Sequence, residues 1–117
     1  MTILELRKMT ENFSVDIYKL GNEMNSAGWE NLSDWFTYSG LDIGRYVARS
    51  CGCLEIEVFI EELKIAMNRA NETNYWLGVI YSAEIISKVR YEILKYKCNR
   101  IRIEIAKAIK NASEVNI

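Results

Sequence analysis

Apolar residues along the chain recur at alternating steps of three and four, which is the spacing of one face of an α-helix. The clearest run lies between residues 59 and 80 and consists of Phe59, Leu63, Ala66, Ala70, Thr73, Leu77 and Ile80. A period near 3.5 residues is typical of helices that pack side by side in bundles. The run therefore predicts a long amphipathic helix with one buried face.

The first two helices are predicted to fill the first half of the chain. Helix one runs from about Ile3 to Asn25, where a turn-forming segment begins. Asn31 or Ser33 is expected to cap helix two, because short polar side chains accept hydrogen bonds from free backbone amides at a helix start. Helix two ends in the segment Ser-Cys-Gly-Cys that closes at Cys53.

The last two helices are predicted to be longer. Helix three extends from about Leu54 to Tyr81, and Ser87 caps helix four, which extends to about Ala112. Because the connections are short, sequential helices are expected to be antiparallel. The sequence thus predicts one all-α domain over residues 1–117, folded as an up-down-up-down four-helix bundle.

Composition argues against catalytic chemistry. The chain has no proline, which suits long helices, and no histidine, which is the commonest general base and metal ligand. Cys51, Cys53 and Cys98 cannot by themselves complete a four-ligand zinc site. A glycine-rich phosphate loop is also missing. We therefore expect a protein that is not an enzyme and that holds no cofactor and no metal.

The cysteine count and the hydropathy pattern indicate where the protein resides. Three cysteines, an odd number, favour a reduced, cytoplasmic protein over a disulfide-bonded secreted one. The polar N-terminal segment does not resemble a signal peptide. No apolar run approaches the about 20 residues that span a bilayer, so we expect no membrane partner.

Two features of the predicted helices favour close helix contacts and assembly. Gly40, Gly44 and Ala48 lie on one face of helix two, where small residues allow another helix to approach; a kink at Gly40 is the alternative. Apolar residues outside the core stripes favour a subunit interface, although a wide core-facing stripe is also open. These residues are Ile56, Ile60, Met67 and Trp76 in helix three and Val89, Ile93, Ile103 and Ile109 in helix four.

Helix four carries most of the positive charge. Between Ser87 and Ala112 there are eight basic and two acidic residues, which gives a net charge of +6. A basic ridge of this kind can hold phosphate backbones, or it can pair with the acidic start of helix three in the same or a neighbouring subunit. The formal charge of the whole chain, −1, favours the second. The ridge consists of Lys88, Lys95, Lys97, Arg100, Arg102 and Lys107.

Helix three resembles a known family. The pattern Phe59-Ile-x-x-Leu63-x-Ile-Ala66, followed by Glu72-Thr-x-Tyr-Trp-Leu77, is similar to that of four-helix bundle proteins encoded in intervening sequences of bacterial 23S ribosomal RNA genes. This family is related to the accessory variability proteins of diversity-generating retroelements, which form pentameric barrels and associate with a reverse transcriptase and nucleic acid. The resemblance implies a homo-oligomer and favours a pentamer.

Helix two departs from the family pattern and narrows the functional expectation. Where members carry an Arg-Arg pair, this chain has Phe36 and Thr37, so that nucleic-acid contact is not carried over residue by residue. The sequence predicts a non-enzymatic homo-oligomeric scaffold or accessory protein, with protein, RNA, DNA or a reverse transcriptase as its partner. The alternative is a bundle that binds a small molecule or peptide between helices or along the oligomer axis.

Overall fold

The computed structural model describes residues 1–115, which leaves the last two residues of the predicted domain outside the described part. It contains four α-helices, α1 (Ile3–Ser26), α2 (Glu30–Cys51), α3 (Ile56–Ser82) and α4 (Lys88–Val115). Residues 1–115 contain no strand. The prediction of an all-α, antiparallel four-helix bundle is confirmed.

The helices pack in a ring in chain order. α1 contacts α2, α2 contacts α3, α3 contacts α4, and α4 closes the ring against α1. Among the described residues, no Cα atoms of the diagonal pairs α1–α3 and α2–α4 lie within 8 Å of each other. The bundle measures 49 × 21 × 19 Å, so it is a rod as long as its helices. The α1–α4 contact is the least extensive of the four, and this leaves one open seam.

The predicted core stripe of α3 lies at the centre of the bundle. Its residues from Leu63 to Ile80 are buried, and Phe59 packs half-buried against them. Thr73 fits this apolar face because its hydroxyl donates a hydrogen bond to the Arg69 carbonyl at 2.8 Å. Its oxygen also lies 3.2 Å from the Ser39 hydroxyl of α2. The buried polar group is therefore satisfied, as burial requires.

The helix starts agree with the sequence at α4 and differ at α2. Ser87 accepts a hydrogen bond from the Arg90 amide at 3.2 Å, which confirms it as the cap of α4. At α2 the predicted cap, Asn31 or Ser33, is wrong. The helix already begins at Glu30, and its N-cap position, Trp29, makes no side-chain capping bond within residues 1–115.

The physical reason for the early start of α2 lies in the turn and in a tertiary hydrogen bond. Gly28 adopts φ +95°, a conformation that glycine reaches without steric cost, and it reverses the chain directly after α1. The Ser33 hydroxyl is buried and donates to the Gly21 carbonyl of α1 at 2.6 Å. Ser33 thus joins two helices instead of capping one.

The glycines of α2 allow α1 to approach closely. A Cβ added at Gly40 would lie 2.5 Å from Cγ2 of Ile17, and one at Gly44 would lie 3.1 Å from Oγ of Ser14. α2 is a continuous helix through both positions. Of the two interpretations open from the sequence, the structure confirms close packing against helix one.

Candidate interaction surface

The outer face of α4 carries a stripe that the other helices of the described chain leave uncovered. Its four apolar side chains are between 50% and 68% exposed. Successive members are separated by four or three residues, which places them on one side of the helix, as in a coiled-coil seam. We call this set the α4 stripe; it comprises Val89, Ile93, Tyr96, Arg100, Ile103 and Lys107.

The α4 stripe borders the open seam between α1 and α4. Two ion pairs cross this seam: Nζ of Lys97 lies 2.8 Å from Oδ2 of Asp16, and Arg90 pairs with Glu23. All four side chains are at least one-third exposed, so solvent screens both pairs. Pairs of this kind contribute at most about 1 kcal/mol each. The two ion pairs therefore add little to the stability of this seam.

A groove lies along the same seam. It has a volume of about 530 Å³. Phe13 and Ile101 form its floor, and both belong to the core. Lys8 on α1 and Arg100 on α4 stand among the charged groups at its rim. The groove thus combines an apolar floor with charged edges.

The six residues of the predicted basic ridge lie on two sides of α4. Lys95 stands over the ring of Tyr91 at 5.5 Å, and Tyr91 stacks on Tyr81 of α3 at 4.3 Å, so this side faces α3. Lys88 and Arg102 lie seven residues before and after Lys95 and share its side. We call these three the α3-facing file. The other three basic residues point elsewhere: Lys97 faces α1, while Arg100 and Lys107 belong to the α4 stripe.

The acidic start of α3 does not neutralise this charge within residues 1–115. Glu62 pairs there with Arg49 of α2 at 3.1 Å. The cations of α4 pair with α1, as described above, or within their own helix, where Lys107 lies 3.4 Å from Glu104. Pairing of the α4 cations with the acidic start of α3 in a neighbouring subunit therefore stays a prediction, and among the described residues of one chain these cations have other partners.

An exposed aromatic cluster lies at the opposite seam, between α2 and α3. Trp35 stacks on Trp76 with ring centroids 5.4 Å apart, and Tyr75 meets the edge of Trp76 at 5.1 Å. Trp35 is 54% and Tyr75 is 65% exposed. We call Trp35, Tyr75 and Trp76 the aromatic platform.

A buried carboxylate joins the same two helices, seven residues further along α2 than Trp35. Asp42 of α2 accepts from Nε of Arg45 at 2.9 Å and from Nε of Arg69 of α3 at 3.3 Å. Arg69 also donates to Glu72 at 3.1 Å. Because Asp42 is almost fully buried, these guanidinium groups compensate its desolvation. The α2–α3 seam is thereby held in one register.

The cysteines do not come together. Cys98 is buried in the α3–α4 contact, where its Sγ lies 3.5 Å from the Ala70 carbonyl; Cys51 and Cys53 are free and half-buried at the end of α2. No group of three cysteine, aspartate or glutamate side chains in the described chain is placed to hold a metal. Likewise, none of the four helices has the length and hydropathy needed to cross a bilayer.

Sequence reasoning missed two parts of these surfaces. Tyr96 was not assigned to the second apolar edge of helix four, although the alternation of four and three from Val89 reaches it directly. The aromatic platform has no local signal in the sequence. Its assembly depends on Trp35 and Trp76, which are 41 positions apart and meet only when α2 packs on α3.

The fold and its exposed surfaces define a small all-α bundle protein. The chain belongs to the 23S rRNA-intervening sequence protein family, whose model matches residues 3–107. It is similar to a protein of unknown function from the S23 ribosomal protein family of Bacteroides thetaiotaomicron, whose crystal structure was determined at 1.70 Å resolution. The two share 27% identity and a TM-score of 0.87 over 90% of this chain and 98% of that one. None of the curated proteins matches the chain significantly.

Proposed function

We propose that this protein is a non-enzymatic scaffold that assembles with itself and buries the α4 stripe between subunits. The stripe is the observation that carries the proposal. Single exposed apolar residues are normal on a protein surface, but four in coiled-coil register on one helix face are typical of a helix that has a partner. Tyr96 and Arg100 lie within the stripe, and aromatic residues and arginine are enriched in interfaces.

Sedimentation equilibrium at micromolar concentration tests this proposal. Wild-type protein is expected at a multiple of the 13.6 kDa chain mass, and the related accessory proteins favour five copies. The double variant Ile93→Glu/Ile103→Glu is expected to sediment as a monomer with unchanged helical circular dichroism, because a charge cannot be buried unpaired at low cost.

Val15→Glu is the matched control for this variant. Val15 is 48% exposed on the outer face of α1, close to the 50% of Ile93, and it lies outside the α4 stripe. It should keep the wild-type mass. A wild-type protein that sediments only at 13.6 kDa, or a stripe variant with the wild-type mass, contradicts the proposal.

A polyanion is the proposed partner chemistry of such a scaffold. The α3-facing file of Lys88, Lys95 and Arg102 lies outside the α4 stripe, so assembly through the stripe leaves it accessible. Phosphate backbones bind to surfaces of this charge with an affinity that falls steeply as salt rises. The resemblance to the accessory proteins of retroelements suggests which partners to test first: RNA, DNA and a reverse transcriptase.

The variant Lys88→Glu/Lys95→Glu separates this role from assembly. Both side chains are exposed, whereas Arg102 is half-buried and bonded to Asn99 at 3.0 Å, so Arg102 is left unchanged. We expect weaker binding to RNA and DNA with the oligomer mass intact. Wild-type protein that binds neither at low salt would exclude the polyanion partner while leaving the scaffold in place.

Binding of a small molecule or peptide is the second candidate function. The α1–α4 groove of about 530 Å³ supports it, since ligand sites are commonly clefts of about 300–1,000 Å³ with an apolar lining. Asn12 lines this groove on α1 and is exposed, so Asn12→Trp would fill it from one side. A ligand found by thermal-shift screening should lose its stabilising effect on this variant. An unchanged shift would place the ligand elsewhere.

A further inference from the structure

We infer that the α4 stripe of one copy docks on the aromatic platform of a second copy, so that subunits associate head to tail. This inference rests on the proposed self-assembly and names the two different faces that meet. It also assigns a role to the exposed tryptophan and tyrosine side chains of α2 and α3, which the core does not use.

The two faces lie on opposite sides of the bundle. The stripe borders the α1–α4 seam and the platform lies at the α2–α3 seam, and in the described chain no Cα atom of α2 lies within 8 Å of one in α4. An interface that joins two different patches is heterologous, and it propagates from copy to copy until a ring closes or a filament forms. A face-to-face dimer through α4 alone would leave the platform exposed.

The two faces are complementary in charge. The α4 stripe contains two basic residues, Arg100 and Lys107, and no acidic residue. α2 and α3 together have four basic and seven acidic residues, a net charge of −3. Complementary charges orient two surfaces and raise their association rate, while like charges would oppose stacking α4 on α4. Charge therefore favours a second copy's α2–α3 seam as the occupant of the stripe.

The two faces also match along the length of the rod. The contacts between Tyr81 and Tyr91 and between Cys98 and Ala70 set the register of α3 against α4. In this register Tyr96 lies level with the platform. The basic end of the stripe, at Lys107, lies level with the acidic start of α3.

When two copies lie side by side at the same height, the apolar part of the α4 stripe therefore meets the aromatic platform. The basic end of the stripe then meets the acidic start of α3. Subunits that associate without an axial shift lie side by side at one height, and they form a closed ring only where the rotation between neighbours closes. The aromatic side chains at the centre of this contact are of the kind that dominates binding energy in protein interfaces.

Complementation between two defective variants tests the pairing. The stripe variant is Ile93→Glu/Ile103→Glu and the platform variant is Trp35→Glu/Tyr75→Glu. Each should be a folded monomer by circular dichroism, with self-association at least about 100-fold weaker, as expected when central interface residues are lost. Mixed in equal amounts, they should form a complex of one copy of each and nothing larger, because only one intact stripe and one intact platform remain.

Two results overturn the inference. A platform variant that keeps the wild-type mass shows that the platform is not part of the interface, and a mixture that stays monomeric shows that the two faces do not pair. If the wild-type protein is itself monomeric, the proposed function and the inference both fail. If the wild-type protein assembles and either of the two results above is found, only the inference fails.

Two further variants serve as controls, one for loss of the fold and one for the loss of any exposed aromatic side chain. Tyr75→Lys leaves the Trp35–Trp76 stack intact and replaces the platform variant if that one unfolds; it should also weaken association. Tyr18→Glu changes a tyrosine of α1 that is 55% exposed and lies outside both faces, and it should keep the wild-type mass. Loss of assembly in Tyr18→Glu would show that any exposed aromatic residue matters and would overturn the assignment of the platform.

Discussion

At the scale of single residues, two glycines in long helices have opposite surroundings. At Gly40 a Cβ would stand 2.5 Å from Ile17, whereas at Gly78 it would meet no atom of the described chain within 4 Å. Glycine costs about 1 kcal/mol relative to alanine in a helix interior. Packing therefore explains why the cost is accepted at Gly40, and nothing in the packing explains Gly78.

Gly40→Ala is expected to destabilise the protein. Forcing α1 and α2 apart costs about 1–3 kcal/mol, which exceeds or cancels the helix-propensity gain of about 1 kcal/mol. Urea unfolding at a fixed protein concentration measures the difference. A midpoint above that of wild type would show that Ile17 moves aside without cost.

Gly78→Ala is the matched substitution, and its effect on the free energy of unfolding is expected to have the opposite sign. It should stabilise the protein by about 0.5–1 kcal/mol, because the new methyl group meets open space and the helix propensity rises. The same urea titration applies. A loss of stability would mean that Gly78 serves a contact outside the single chain.

Cys98 is the thiol whose environment changes its chemistry. Burial raises its pKa to about 11, and the positive charge of Arg102 opposes this only in part. At pH 8 we expect iodoacetamide to modify Cys51 and Cys53 in the folded protein and to modify Cys98 only after unfolding, since the thiolate is the nucleophile. Mass spectrometry with and without urea checks this. Equal modification of all three thiols in the native state would contradict the burial of Cys98.

The same pKa shift predicts how stability depends on pH. The thiol of the unfolded chain ionises near pH 8.5, whereas the folded one stays neutral until a pH of about 11. The contribution of neutral Cys98 is therefore complete below about pH 8.5 and is lost as the pH rises toward about 11. Urea midpoints for wild type and Cys98→Ala should converge over this range. A constant difference between them would exclude the effect.

At the scale of elements, α3 is the helix whose buried face is defined most sharply. Leu63 is fully buried in the middle of the α3 stripe. Leu63→Ala should destabilise the bundle by about 2–5 kcal/mol, as large-to-small core substitutions do. Lys64→Ala, one position further on and exposed, should change stability by less than about 0.5 kcal/mol. Denaturant midpoints that do not separate the two variants would mean that α3 packs with another face inward.

At the scale of the whole molecule, charge is distributed unevenly. α4 carries +5 in a chain whose formal charge is −1, so the remainder carries −6. If opposite charges meet between copies, salt should weaken assembly. Raising ionic strength from about 0.1 M to about 1 M shortens the Debye length from about 10 Å to about 3 Å.

We expect the dissociation constant for self-association to rise several-fold over this salt range, as measured by sedimentation at several protein concentrations. Apolar contacts of the α4 stripe do not weaken with salt, so assembly should persist at high protein concentration. A dissociation constant that falls as salt rises would indicate that like charges face each other across the interface.

Local patterns in the amino-acid sequence specify the helices and their buried faces. Alternation by three and four is a local property of each segment, and it assigns residues such as Leu63, Ala70 and Leu77 to the core, where they are fully buried. It also identified the family, because the motif of helix three is contiguous. The start of α2 was wrong, since the hydroxyl of Ser33 is used in a contact with α1 that no local pattern encodes.

Which surfaces the helices share depends on how the helices pack. Six basic residues that form one run in sequence are divided between two sides of α4, because the neighbours of each side come from α1 and α3. The aromatic platform exists only where Trp35 and Trp76 meet across the α2–α3 seam, and the groove exists only because α1 and α4 pack less closely than the other neighbours. Surfaces of this kind depend on the separation and register of distant segments, and helical periodicity specifies neither.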